Sequence, residues 1–350
     1  MKNTAFEIGV YTIGDMAPHP QTNETITAHQ RIKEIIRAAT LAEEVGLDVY
    51  GVGEHHRLDY AVSATPIVLT AIAQVTQTIK LTSATTVLST VDPVRLFEDY
   101  ATLDLISDGR AEIITGRGAF LESFPLFGYK VKDYGALFEE NMKLLMKLNQ
   151  HERVSWNGHF RSPLEDSEIA PRPFQSTLPI WTGVGGTRES ATLAGRLGTG
   201  MALAILKDDP ISFQPLIEAY RKAIKESGYP PHQQRVAITG HGYLADSSEQ
   251  ATEEYFSYYK NYQKYMNRRK GIQKNFTREE YEQMIGMKDA LYVGSPEQII
   301  EKILYQHEIF GHQRFMVQLD IGGMPYEKVA KSIELLGTKV APAVRRALSN

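Results

Sequence analysis

Three short runs in this chain gather side chains that can do chemistry. Glu54-His55-His56-Arg57 sets four ionisable groups directly behind the apolar stretch Asp48–Gly53. That placement is costly unless they face a polar cavity or one another. Three chemistries compete for them. A metal site would need several to converge, but successive residues of an extended chain point to opposite sides, and no HxH or HExxH partner occurs elsewhere. A self-satisfied cluster would pair Glu54 with a histidine or with Arg57. An acid/base or cofactor-adjacent imidazole is the third, since histidine gains or loses a proton near neutral pH.

The second run, Thr115-Gly116-Arg117-Gly118, leaves open backbone on both sides of one guanidinium. Such a fork suits a phosphate; the plainer reading is a turn arginine paired with a surface carboxylate. The third, Gly183-Val184-Gly185-Gly186-Thr187, precedes a helical pattern. Free N–H groups at a helix start attract anions, although Thr187 could simply cap the helix. It is not a dinucleotide fingerprint, because GxGGT lacks the third glycine of GxGxxG. A hydroxyl-rich stretch, Thr82 to Leu88, would let a flat ligand approach the backbone, though threonine also simply favours strands.

The elements that must position these runs alternate strand and helix. Strands are predicted at Phe6–Thr12, Asp48–Gly53, Ile79–Leu88, Arg110–Thr115, Leu178–Thr182, Gly200–Leu206, Arg235–Leu244 and Arg314–Asp320. Between them, apolar residues recur at helical spacing, clearest at Ile32, Ile35, Ile36, Ala39, Ala42 and Val45. Helices are also expected at Ala64–Thr78, Pro93–Ser107, Thr187–Leu197, Ile211–Glu226 and Tyr326–Leu348. Parallel strands need crossover helices, and eight such pairs favour a closed α/β barrel over an open sheet. The expectation is therefore one (β/α)8 TIM-barrel domain over residues 1–350, with insertions after strands 4 and 7, at about 151–177 and 247–294. In the second insertion Tyr255, Tyr258, Tyr259, Tyr262 and Tyr265 form a stripe read as a packing face or, alternatively, a pocket lining.

Composition narrows the function classes. Hydrophobic residues make up 42% and charged residues 23% of 350, enough for a large core. A net charge of −4 argues against nucleic-acid or anionic-membrane partners. The absence of cysteine removes disulfides, thiolate nucleophiles and Cys-type metal sites. The apolar run Phe6–Ile13 is too short for a signal peptide, and a cytoplasmic location is the default expectation.

Taken in order, EHH after strand 2, LTSATTVLSTVDPVRLFEDYATLDLISDGR, GRG after strand 4, GVGGT before the next helix and the later VGSPEQI segment resemble the bacterial-luciferase-like, flavin-dependent monooxygenases. The likeness covers roughly residues 6–205 and 293–299. It implies His55 as the active-site histidine near the flavin, Glu54 as a cofactor contact beside it, and Thr85-Thr86 as a cofactor contact and the place of a non-prolyl cis peptide against the flavin ring. It implies flavin and phosphate contacts at Gly116, Arg117 and Ala119, and a phosphate loop at Gly185, Gly186 and Thr187. Glycine stands at Gly116 where luciferase has a reactive cysteine, and GGT replaces its acidic-serine pair, so light emission is not implied. The implied chemistry uses reduced FMN, supplied by a separate reductase, and molecular oxygen to form a flavin hydroperoxide that oxygenates a small organic substrate. A homodimer through helices 2 and 3 is implied as well. The rival readings are a deazaflavin-dependent hydride-transfer oxidoreductase, a metal-dependent TIM-barrel hydrolase and a non-catalytic flavin-binding protein. Substrate choice is expected to rest with residues 119–135, 151–177 and 247–294.

Overall fold

The computed structural model describes residues 6–269 and 275–349; residues 270–274 of the expected second insertion lie outside the described residues, as do residues 1–5 and 350 of the expected domain. Eight parallel strands close into a barrel: β1 (Glu7–Thr12), β2 (Val49–Val52), β3 (Lys80–Ser83), β4 (Ala111–Gly116), β5 (Ile180–Val184), β6 (Gly200–Ala204), β7 (Val236–Leu244) and β8 (Arg314–Gln318). Neighbours pair in chain order, and β8 closes on β1 with Glu7 opposite Arg314 and Tyr11 opposite Gln318. Helices α1 (Ala28–Glu44), α2 (Thr65–Ala73), α3 (Pro93–Ile106), α4 (Tyr134–Gln150), α5 (Arg188–Arg196), α6 (Gln214–Glu226), α7 (Ser248–Arg269), α8 (Pro296–Phe310), α9 (Tyr326–Leu335) and α10 (Ala341–Leu348) fall between and after the strands. The fold is the α/β barrel that the alternation predicts.

Local chemistry sets the helix starts. Thr27 and Gln30 form a reciprocal capping box on α1, whose Ile35, Ala38, Ala39 and Ala42 face the core. Asp92 accepts from the N–H groups of Val94 and Arg95, and Pro93 fills the first turn of α3. Several predicted elements are shorter than expected, two of them markedly. α2 stops at Ala73 rather than Thr78, because Val75, Thr76 and Thr78 are β-branched and the Glu43 carboxylate takes the N–H groups of Gln77 and Thr78. β3 stops at Ser83 rather than Leu88. The chain resumes as a two-residue strand, Thr86–Val87, that pairs with Thr115 and Gly116 of β4. The expected last helix is two, α9 and α10, joined by a π-helical turn at Leu336–Val340.

The lower end of the barrel is plugged. Trp181 is fully buried between the guanidinium groups of Arg314 and Arg235, 4.5 and 4.6 Å from its ring centre. Arg314 in turn donates to Glu112 and Glu7. Burial alone would raise the Glu112 carboxyl, but the charge and hydrogen bond of Arg314, with Lys80 and Arg235 nearby, together outweigh it and hold it at about 2. The pair is therefore ionised and matched, and the room left in the barrel lies at the C-terminal ends of the strands.

The first insertion is an antiparallel hairpin, Arg153–Trp156 with Leu164–Glu168. Its tip is fastened to α4, where the Glu140 carboxylate accepts from the N–H groups of His159, Phe160 and Arg161. The second insertion contains α7, a short helix at Arg278–Glu282 and a strand, Tyr292–Gly294, that extends the sheet beside β7. Tyr255, Tyr258, Tyr259 and Tyr262 are buried, so the stripe is mainly a packing face.

Candidate active site

The strand ends surround a cavity of about 440 Å³. Of the residues singled out from sequence, Glu54, His55, Thr85, Gly116, Arg117, Ala119, Gly185 and Thr187 line it. Thr86 and Gly186 do not. Thr86 is buried in the ladder against Thr115, and Gly186 turns away with φ +124° at the start of α5. The expected cis peptide is present one bond earlier than Thr85-Thr86, between Ala84 and Thr85. Thr86 is already committed to the ladder with β4, while Ala84 still donates to Val52, so the irregular bond falls between those two pairings.

Arg117 is the strongest feature. Its Nη2 donates to Ser190 Oγ at 2.7 Å and Thr187 Oγ1 at 3.2 Å, and the two hydroxyls are 2.7 Å apart. The guanidinium carbon lies 5.2 Å from the centre of the Tyr134 ring, and Ser89 ties down the Arg117 carbonyl. Among the described residues its hydrogen-bond partners are hydroxyls, not carboxylates, so its charge is not neutralised. Thr187 occupies the cap position of α5 without its side chain accepting from a helix N–H. The plain capped turn is therefore not what forms; the hydroxyl is spent on Arg117. A side chain at Gly185 would meet nothing within 4 Å, which leaves room beside this cation. The cluster joins the two phosphate-suited loops on one rim.

Gly116 has a different reason to be glycine. A Cβ there would stand 2.5 Å from Thr85 Oγ1, so the missing side chain makes space for Thr85.

The Glu54–Arg57 run divides its work. Glu54 bonds His56 at 2.7 Å and accepts from the Val87 N–H at 3.0 Å, clamping the end of β2 to the Thr86–Val87 strand. His55 stacks on Tyr60 with ring centres 4.1 Å apart and meets Phe120 edge-on at 4.9 Å. Its Nδ1 lies 3.8 Å from Glu122 Oε1. Burial would raise the Glu122 carboxyl, yet its bond to His55 and the nearby Arg57 hold it below the usual carboxylate range. The self-satisfied reading thus describes Glu54 and His56, while His55 lines the cavity with a carboxylate at hand. Among the described residues no three His, Asp or Glu side chains converge as a metal would require.

Tyr262 on α7 lines the cavity, as the alternative reading of the tyrosine stripe expected. Some residues of the site were not singled out from sequence: Glu122 in the loop after β4 and Met266 on α7 line the cavity, and Ser190, one helical turn beyond Thr187, bonds Arg117 without lining it. His241 and Gln318 lie on β7 and β8. Ser190 alone had a readable signal, its spacing of three from Thr187 on a predicted helix. The hairpin of the first insertion contributes nothing to the cavity lining, contrary to the substrate expectation, because Glu140 fastens it to α4.

Comparison with known proteins follows the same outline. A family model described as luciferase-like monooxygenase matches residues 6–313. The oxygenase component of flavin-dependent trigonelline monooxygenase from Acinetobacter baylyi is 23% identical over 333 residues, 91% of each chain. The oxygenating constituent of 3,6-diketocamphane monooxygenase from Pseudomonas putida, solved with FMN, superposes with a TM-score of 0.79 at 20% identity, over 97% of this chain and 99% of that one. An F420-dependent secondary alcohol dehydrogenase superposes at 0.75 with 17% identity, over 97% and 99%. Among the described residues no helix is long and apolar enough to cross a membrane.

Proposed function

The chain belongs to the luciferase-like monooxygenase family, and from that premise we propose that it is an oxygenase using reduced FMN and molecular oxygen on a small organic molecule. The observation that carries this reading is the un-neutralised Arg117, held by Thr187 and Ser190 at the mouth of the cavity. One compact cation with adjoining hydroxyls and an open glycine turn fits a single terminal phosphate. Arg117, Thr187 and Ser190 would hold that phosphate, with the backbone at Gly185 beside it, while Thr85 and Gly116 would border the ring. When bound, reduced FMN supplies two electrons for dioxygen, one oxygen atom passing to the substrate and the other leaving as water.

The protein's own share is positioning, dryness and proton handling. Glu54 keeps the β2 end and the Thr86–Val87 strand together, which fixes Thr85 at the cavity wall. His55, oriented by Tyr60 and faced by Glu122, is placed to hold or pass a proton at Nδ1. Phe120, Tyr262 and Met266 give the cavity apolar walls that limit water. A separate flavin reductase as a transient partner, a homodimer and a cytoplasmic setting belong to the same proposal, as does a single domain over residues 1–350.

The F420-dependent fold neighbour favours a second reading, hydride transfer from a deazaflavin. Its longer acidic tail calls for several cations, and among the described residues Arg117 is the one Lys or Arg that lines the cavity. The experiment that separates them mixes protein carrying the reduced cofactor with aerated buffer. Protein-bound reduced FMN should consume oxygen at a rate distinct from free reduced FMN. Saturable binding of reduced F420 without FMN binding would overturn the proposal.

A further inference from the structure

The cation and the rest of the cavity lie at opposite sides of the barrel mouth. Arg117 follows β4 and Thr187 follows β5, whereas β8 and β1 stand three or four strands away around the closed ring, and β7 two or three. On that far side the register is informative. Tyr11 of β1 is opposite Gln318 of β8, and Gln318 is opposite His241 of β7. Paired residues of parallel strands share a level and a face, so these three side chains form one row, and all three line the cavity.

This row is polar, uncharged and incompletely bonded. His241 is only 4% exposed, and its Nδ1 has no hydrogen-bond partner. Burial pushes its imidazole down to about 4, so it is neutral at ordinary pH. The Gln318 amide reaches Asp320 only at 3.4 Å, and the Tyr11 hydroxyl donates to the Gly240 carbonyl at 3.3 Å. Burying a polar ring nitrogen without a partner is unfavourable, which marks it as a group awaiting one. Around the row the walls are apolar and polarisable: Tyr262 meets the His241 ring edge-on at 5.1 Å, and Met316 and Met266 complete the lining.

We propose that this far end is a recognition subsite for a compact, uncharged organic molecule whose apolar body carries one carbonyl or hydroxyl group, met by His241 and Gln318. The assignment of this end to substrate rather than cofactor rests on the reading that Arg117 takes the flavin phosphate. A carboxylate ligand would have to be desolvated with no cation in the row to receive it. For an ammonium the nearest carboxylate, Asp320, is bonded to Thr12 and Gln318 and does not line the cavity, whereas a neutral polar group loses little. The molecule is thus one that is already neutral and mostly hydrocarbon before it is oxygenated.

The test uses the flavin-free protein and a fixed set of ligands: cyclohexanone, cyclohexanol, cyclohexanecarboxylate and cyclohexylamine, titrated by calorimetry, with FMN affinity measured separately by fluorescence. The neutral pair should bind about tenfold or more tightly than the charged pair, given the cost of burying an unpaired charge. His241→Phe keeps the aromatic packing and should weaken the neutral pair by about fivefold to tenfold, the usual worth of one hydrogen bond, with FMN affinity nearly unchanged. Gln318→Met is the second variant, with the same expected pattern, should the first not fold. Equal or tighter binding of the charged pair, no binding of the neutral pair, or variants that weaken FMN and ligand alike would overturn the subsite. Failure of FMN to bind the unaltered protein would instead overturn the flavin reading, and the ligand titrations would still decide the subsite.

Discussion

Replacing Arg117 with alanine isolates the phosphate grip from everything else in the cavity. The guanidinium makes hydrogen bonds of 2.7 and 3.2 Å to Ser190 and Thr187, and these hold its remaining N–H groups beside the open turn at Gly185. A charge-assisted hydrogen bond contributes about 1.5–3 kcal/mol, and a half-buried rim position belongs at the lower end of that range. At about 1.4 kcal/mol per factor of ten, Arg117→Ala should weaken FMN by about tenfold to a hundredfold. Riboflavin shares the ring and lacks the phosphate, so its affinity should change by less than about twofold. The assay is quenching of flavin fluorescence by protein, run with both ligands at two salt concentrations. The FMN loss should shrink at high salt, where the charge is screened. Equal losses for FMN and riboflavin, or no loss for either, would refute the assignment of Arg117 to the phosphate.

Three other outcomes follow from particular contacts. Gly116→Ala should cost about 1–3 kcal/mol in thermal unfolding, because its Cβ would stand 2.5 Å from Thr85 Oγ1; adding Thr85→Ala should recover most of that loss. His55→Asn should leave FMN affinity nearly unchanged while altering the rate of hydrogen peroxide release from aerated, reduced-FMN-loaded protein, and an unchanged rate would count against a proton role for His55. His312 has no partner at either ring nitrogen, and burial, aided by the nearby His307, pushes it down to about 3. Its folded value lies below the unfolded one, so its contribution to stability is present above about pH 6.5 and lost as pH falls. His312→Leu should therefore flatten the fall in melting temperature between about pH 6.5 and 4, and an unchanged slope would exclude it as a source.

The barrel was legible because periodicity is local: α1 announces itself through Ile35, Ala39 and Ala42, and α3 through Asp92-Pro93. Element ends were less so. The run from Thr82 to Leu88 reads as one β-branched strand, and nothing local marks the break after Ser83, which depends on where β4 offers Thr115 and Gly116. The site divides in the same way. Arg117 and Thr187 could be found because each sits in a glycine-rich run at a strand end. Their mutual bond could not, since it joins positions seventy residues apart. Glu122, His241 and Gln318 carry no local signal of their own; they face the cavity because of loop course and strand register, while Tyr262 was legible only as one of a stripe, and helix docking decides that it turns to the cavity. Gly116 reads as an opening for a ligand; it does line the cavity, and its missing side chain also makes room for Thr85, which no local pattern announces.

The most direct test of the central claim is an anaerobic titration of the flavin-free protein with reduced FMN and, in parallel, reduced F420, each followed to saturation. The account predicts saturable binding of FMN at about one per chain, tighter than F420, because Arg117 is the one Lys or Arg facing the cavity among the described residues. Saturation by F420 with no binding of FMN, or no binding of either, would contradict it.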